Sequence, residues 1–206
     1  MEEKEIHDEL VSIRSMMERS SKFISLSGLS GILAGIYALI GAGAAYELIY
    51  TGVGGDRERI NGHLFSELEY SLLAVALLVL LVSILTGYVL SRNKAKRKGQ
   101  PIWGQASTAL LFNMAVPLIA GGIFILIHFY RGYYGFIAPS CLIFYGLALV
   151  GASNFTFKDV RYLGISEIIL GLVAACLPGY GLLFWAIGFG LLHIIYGSMM
   201  YLKYDR

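Results

Sequence analysis

Leu72-Leu73-Ala74-Val75-Ala76-Leu77-Leu78-Val79-Leu80-Leu81-Val82, followed shortly by Arg92-Asn93-Lys94-Ala95-Lys96-Arg97-Lys98, is the stretch that decides the fold. No charge interrupts the chain from Tyr70 to Leu90. A helix over residues 70–90 rises ~30 Å, the thickness of a bilayer's hydrocarbon core. The basic cluster behind it stays on the cytoplasmic side during insertion. One span and its orientation therefore come out of a single segment.

The same test applied outward finds five more spans, at about residues 23–50, 107–130, 134–153, 162–177 and 182–201. The first is too long, and its acidic preface too extended, for a cleaved signal peptide. The fifth rises only ~24 Å and is the short one, so it either thins the bilayer or sits inside the bundle. Pro178-Gly179-Tyr180-Gly181 turns it into the sixth. Of the 16 Lys and Arg residues, all but Arg57, Arg59 and Arg131 then fall on one side. The expectation is an all-α, six-helix integral membrane bundle with both termini inside, in a bacterial inner (plasma) membrane. Residues 1–22 and 203–206 are its cytoplasmic ends.

Composition agrees. Hydrophobic residues make up 57% of the chain and charged residues 15%, with a mean hydropathy of +0.68. Soluble domains carry about 25% charged residues to solvate their surface. The net charge of +2 supplies no basic field for nucleic acid. Cys141 and Cys176 both lie within apolar segments, and their spacing implies neither a metal site nor a disulfide framework. No nucleophile, phosphate-binding, metal or cofactor pattern is present, so the expectation is a non-enzyme without cofactor.

Small residues set the expected packing. Gly28, Gly31, Gly35, Ala38, Gly41 and Ala45 share one face of span one. Such a stripe lets a second backbone approach closely. Gly188, Gly190 and Gly197 repeat the pattern in span six, and Gly164, Gly171 and Ala175 in span five. Spans one, five and six are therefore expected at the centre. Span two, rich in Leu and Val, is expected to face lipid.

Polar groups at membrane depth are the candidate functional residues. Glu167 lies ~9 Å beyond Arg161 along its helix, and His193 ~15 Å before Lys203. Both fall in the cytoplasmic half and can meet between spans five and six. The pair serves either as a structural hydrogen bond or as a proton relay or coupling site in transport. Asn113 stands four residues before Pro117 in span three. It either bonds carbonyls that the proline frees or lines a polar cavity.

Two surfaces remain. Ile6, Leu10, Ile13 and Met17 make residues 2–20 an amphipathic helix that rests on the membrane, docks a cytoplasmic partner or forms a homo-oligomer. Arg92, Lys94, Lys96, Arg97 and Lys98 form a basic loop that attracts anionic lipid headgroups.

The stretch Arg19-Ser20-Ser21-Lys22-Phe23-Ile24-Ser25-Leu26-Ser27-Gly28-Leu29-Ser30-Gly31, with the glycine-rich spans after it, resembles uncharacterised bacterial multi-span membrane proteins. The last hairpin, with Gly171 and Pro178-Gly179, is similar to HdeD-type acid-stress membrane proteins. Neither resemblance implies an activity. The sequence thus leads to a partner subunit, sensor or regulator working through helix packing. The alternative is a small-solute or proton-coupled transporter or channel using Glu167, His193 and Asn113.

Overall fold

The structure, a computed structural model, describes residues 27–50, 67–97, 99 and 103–205. The amphipathic segment at residues 2–20 and Lys98 lie outside the described residues. Within them, all regular structure is helical: α1 (Gly28–Tyr50), α2 (Glu67–Arg97), α3 (Gln105–Tyr130), a 3-10 turn (Tyr134–Phe136), α4 (Ile137–Ala152) and α5 (Asp159–Cys176). The last helix, α6, runs on through Gly181–Trp185, a wider π-type segment Ala186–Leu192, His193–Met200 and a second wide segment Tyr201–Asp205. Gly132 and Gly179 hold φ of 76° and 97°, which lets the chain reverse after α3 and between α5 and α6.

Among the described residues, five helices are long and apolar enough to cross a membrane: α1, α2, α3, α4 with its leading turn, and α6. α5 carries Asp159, Arg161 and Glu167 and does not meet that measure of composition. It begins before residue 162, however, and over Asp159–Cys176 it rises ~27 Å. The basic run expected as a loop is also helical. Lys94, Lys96 and Arg97 form the last turn of α2, where cations complement the helix dipole and prolong the helix.

The helices pack in a chain of neighbours, α2 on α1, α1 on α6, α6 on α4 and α5, and α3 on α4. None of the apolar window of α2 is buried, which bears out its peripheral place. α3 is nearly as exposed. α4 is the most covered of the five spanning candidates, a central role its composition did not announce.

Two close crossings hold the centre. On α1, Gly28, Gly31 and Gly35 face Gly190, Ile194, Gly197 and Tyr201 of α6. A Cβ built on Gly35 would lie 2.6 Å from the Gly190 carbonyl oxygen, and one on Gly197 2.6 Å from the Ile32 nitrogen. α4 and α5 meet in the same way, since a Cβ on Gly146 would lie 2.5 Å from the Gly164 carbonyl oxygen. Lipid offers no hydrophobic drive between helices, so such backbone proximity supplies the dispersion contact that holds them.

One end of the bundle is tied across four elements. The Asp205 carboxylate, at the end of α6, accepts the Gly28 N–H at 2.8 Å and the Ser27 hydroxyl at 3.2 Å. It thereby caps α1 from the far end of the chain. Its other oxygen pairs with Lys94 of α2, whose ammonium also lies 5.5 Å from the Phe157 ring, in the α4–α5 connection. Phe157 stacks on Tyr204 at 3.9 Å. The start of α1, the end of α2, the start of α5 and the end of α6 therefore share one face. Replacing Asp205 with alanine removes a cap and an ion pair together, and is expected to lower stability by about 1–2 kcal/mol. Thermal unfolding in detergent measures it. An unchanged midpoint would show that the tie contributes nothing.

Beside it, Asp159 accepts the Tyr204 hydroxyl at 2.6 Å and the Lys203 ammonium at 3.0 Å. The Tyr204 hydrogen bond, then Lys203, holds the Asp159 carboxyl below its ordinary value against an opposing effect of burial. A carboxyl depressed in the folded state stabilises fully above its unfolded value and loses that contribution as pH falls through the folded one. Stability should therefore decline on the acid side of the ordinary carboxylate range, and Asp159→Asn should flatten that limb. Unfolding midpoints recorded across acid pH for both proteins check it.

Candidate functional site

Glu167 and His193 are brought together as their depths suggested. α5 carries Glu167 toward α6, where its side chain is 0% exposed. His193 stands at the junction of the wide segment Ala186–Leu192 with the regular helix after it. Its Nδ1 lies 3.4 Å from Glu167 Oε1.

The imidazole's hydrogen bonds go elsewhere. Nδ1 lies 3.0 Å from the Gly188 carbonyl oxygen, an acceptor only, so Nδ1 carries the hydrogen and donates it. Nε2 then accepts from the Tyr145 hydroxyl of α4, at 2.8 Å. The wide segment makes this geometry possible. A π-type turn displaces the regular backbone ladder, leaving the Gly188 carbonyl within reach of the imidazole five residues on.

Among the described residues, both carboxyl oxygens of Glu167 are buried without a hydrogen-bond partner. At 3.4 Å the imidazole is close enough to interact electrostatically but is not aligned to donate. Glycine at 188 is required for this approach, because a Cβ there would sit 2.5 Å from Glu167 Oε2 and also strike the Leu142 side chain. Gly188 and Gly190 thus have different roles: Gly190 receives Leu39 of α1, while Gly188 receives the carboxyl of α5. Phe189 lies against both Tyr145 and His193, with ring centres 5.2 and 5.9 Å away. The cluster is a carboxyl, an imidazole and a phenol enclosed by Leu142, Leu170 and Phe189.

Asn113 does not join it. Its amide donates to the Ala109 carbonyl at 2.8 Å, one turn back in its own helix, and its backbone packs on Gly151 of α4. The carbonyl it occupies precedes the one that Pro117 frees. Tyr145 was missed by sequence reasoning. A tyrosine deep within a span was its one signal, and it carries no spacing relation to Glu167 or His193.

Among the described residues no three His, Cys, Asp or Glu side chains converge. Glu167 and His193 offer two ligating groups where a protein metal centre takes three or more. A cleft of about 380 Å³ lies elsewhere, lined by Asp159, Met199, Leu202 and Lys203 at the tied end of α5 and α6.

The length and apolar composition of its helices make this chain a helical membrane protein. Within that class, no family model, curated protein or solved structure matches it.

Proposed function

We propose that the chain is a six-span, non-enzymatic protein of a bacterial inner membrane, with both ends cytoplasmic, acting as a partner subunit, sensor or regulator through helix packing. The observation that carries this reading is the gathering of the buried polar groups into one enclosed place. Glu167, His193 and Tyr145 form one enclosed cluster between α4, α5 and α6, while Asn113 is engaged within α3. A solute path would instead string such groups along a wetted route.

Six crossings are supported by the shared face of the α1, α2, α5 and α6 ends. α3 and α4 must then make one round trip between Arg97 and Asp159, and α5 and α6 another. α5 crosses as the most polar member, with Glu167 on the face covered by α4 and α6 and Ile165, Ile169 and Leu172 on the face left to lipid. The basic end of α2 supports a cytoplasmic place for that face. Arg92, Lys96 and Arg97 are exposed there and, with Lys98, meet anionic headgroups, whereas Lys94 is drawn inward by Asp205. Residues 2–20 provide the contact for a cytoplasmic partner or a second copy.

The test has two arms. Deletion of residues 2–18 should leave insertion intact and abolish co-purification of the partner. Proteoliposomes holding the full chain should leak protons and small cations no faster than empty ones. A flux that Glu167→Gln or His193→Ala removes would establish the transport reading in its place.

A further inference from the structure

The unpaired carboxyl of Glu167 is the feature that packing alone leaves unexplained. A buried polar group without a partner is destabilising, and an ionised one far more so. Natural interiors retain few of them, and those mark strain, chemistry or a bound species. Here both oxygens are buried and find no partner among the described residues, and the side chain is 0% exposed. Gly188 lies against Oε2, and the Leu142 and Leu170 side chains border the same space.

We propose that Glu167 and His193 form a proton-binding switch, in which a proton on the Glu167 carboxyl decides whether the imidazole holds the Gly188 carbonyl or the carboxylate. The groups facing Glu167 are Tyr145 from α4 and His193 from α6. The structure corresponds to the loaded state. In that proposed state the carboxyl holds the proton, while the Nδ1 hydrogen is given to Gly188 at 3.0 Å and Nε2 is held by the Tyr145 hydroxyl.

On release, the carboxyl O–H bond breaks, its electron pair stays on the oxygen, and water takes the proton. The carboxylate then needs a donor. The nearest is the Nδ1 hydrogen, whose nitrogen is 3.4 Å from Oε1, and a small swing of the ring transfers that hydrogen bond from Gly188 to Glu167. The Gly188 carbonyl is left without its imidazole. A regular α-helical turn would recover it through the Leu192 N–H, so release favours tightening of the wide segment. Tightening rotates the part of α6 that carries Gly197, which sits on the α1 backbone. The proton at Glu167 is thereby coupled to the α1–α6 crossing.

The site is independent of whether the protein regulates or transports, and infrared spectroscopy reads it directly. The full chain is reconstituted in nanodiscs with isotope-labelled glutamate and titrated with acid and base. The expected result is a carbonyl band of a protonated glutamic acid in a dry environment, which disappears as pH rises and is absent from Glu167→Gln. Nitrogen NMR of labelled histidine should show an imidazole change with the same midpoint. No such band, or one that stays constant wherever the protein remains folded, would overturn the proposal. A band that titrates without any imidazole change would overturn the switch as well. The label limits the band to the ten glutamates of the chain. If Glu167→Gln fails to fold, Glu167→Asp assigns it instead, because the band then loses its glutamate isotope shift.

Discussion

Replacing Gly197 with alanine should weaken the bundle by about 3 kcal/mol, although the change adds a single methyl group. The new carbon would lie 2.6 Å from the Ile32 nitrogen and 2.9 Å from both the Gly28 carbonyl oxygen and the Gly31 carbonyl carbon. All three are backbone atoms of α1, so no side chain can turn aside and the helices must separate. Separation also loosens Gly28 and Gly35 along the same crossing. The control is alanine at Gly43 or Gly87, where a Cβ meets nothing within 4 Å. There the usual preference of helices for alanine should stabilise by about 0.5–1 kcal/mol. Reversible unfolding in mixed detergent, followed by circular dichroism, separates the two signs. A Gly197→Ala protein as stable as the Gly43→Ala control would mean that α1 and α6 do not cross there.

His193→Ala should cost a similar amount, about 3 kcal/mol, for a different reason. It opens a cavity beside Phe189 and strands two buried groups, the Tyr145 hydroxyl and the Gly188 carbonyl. Tyr145→Phe removes one hydroxyl and should cost about 1 kcal/mol. The two losses should not add. Once His193 is gone the Tyr145 hydroxyl has no acceptor there, so removing it in that background should cost nothing or even stabilise. Four unfolding curves complete the cycle. Strict additivity would show that the 2.8 Å hydrogen bond is not formed in the membrane.

Much of the architecture was legible because lipid tests each segment separately. Every span must be apolar by itself, so hydropathy along residues 70–90 or 107–130 is a local signal that needs no knowledge of neighbours. The glycine stripe of α1 was legible for a related reason. Gly28, Gly31, Gly35, Ala38 and Gly41 fall on one face through helical spacing alone, and that face is the one that receives α6 and, at Gly41, Val79 of α2. Depth along a helix is also local, which is why Glu167 and His193 could be matched in advance.

The angular facts were not legible. Asp205 caps a helix that begins 177 residues earlier, and nothing near either residue announces it. Lys94 belongs by sequence to a lipid-facing basic cluster, yet the rotation of α2 turns it inward onto Asp205 while Arg92, Lys96 and Arg97 stay outside. Tyr145 looks like any aromatic residue of a span until α4 is placed against α6. The wide segment Ala186–Leu192 has no announcement in the sequence beyond its two glycines, Gly188 and Gly190.

The sequence by itself determined that this is a membrane protein, where its apolar segments lie, which of its ends are expected inside, and which residues stand at equal depth. Those properties follow from the exchange of each segment between water and hydrocarbon, which depends on its own residues. Only the tertiary structure decided that Glu167 would be buried without a partner, that His193 would be held by Tyr145 and Gly188, and that α4 would lie at the centre. Those depend on how each helix is rotated about its axis, and rotation is set by close contacts between backbones far apart in the chain.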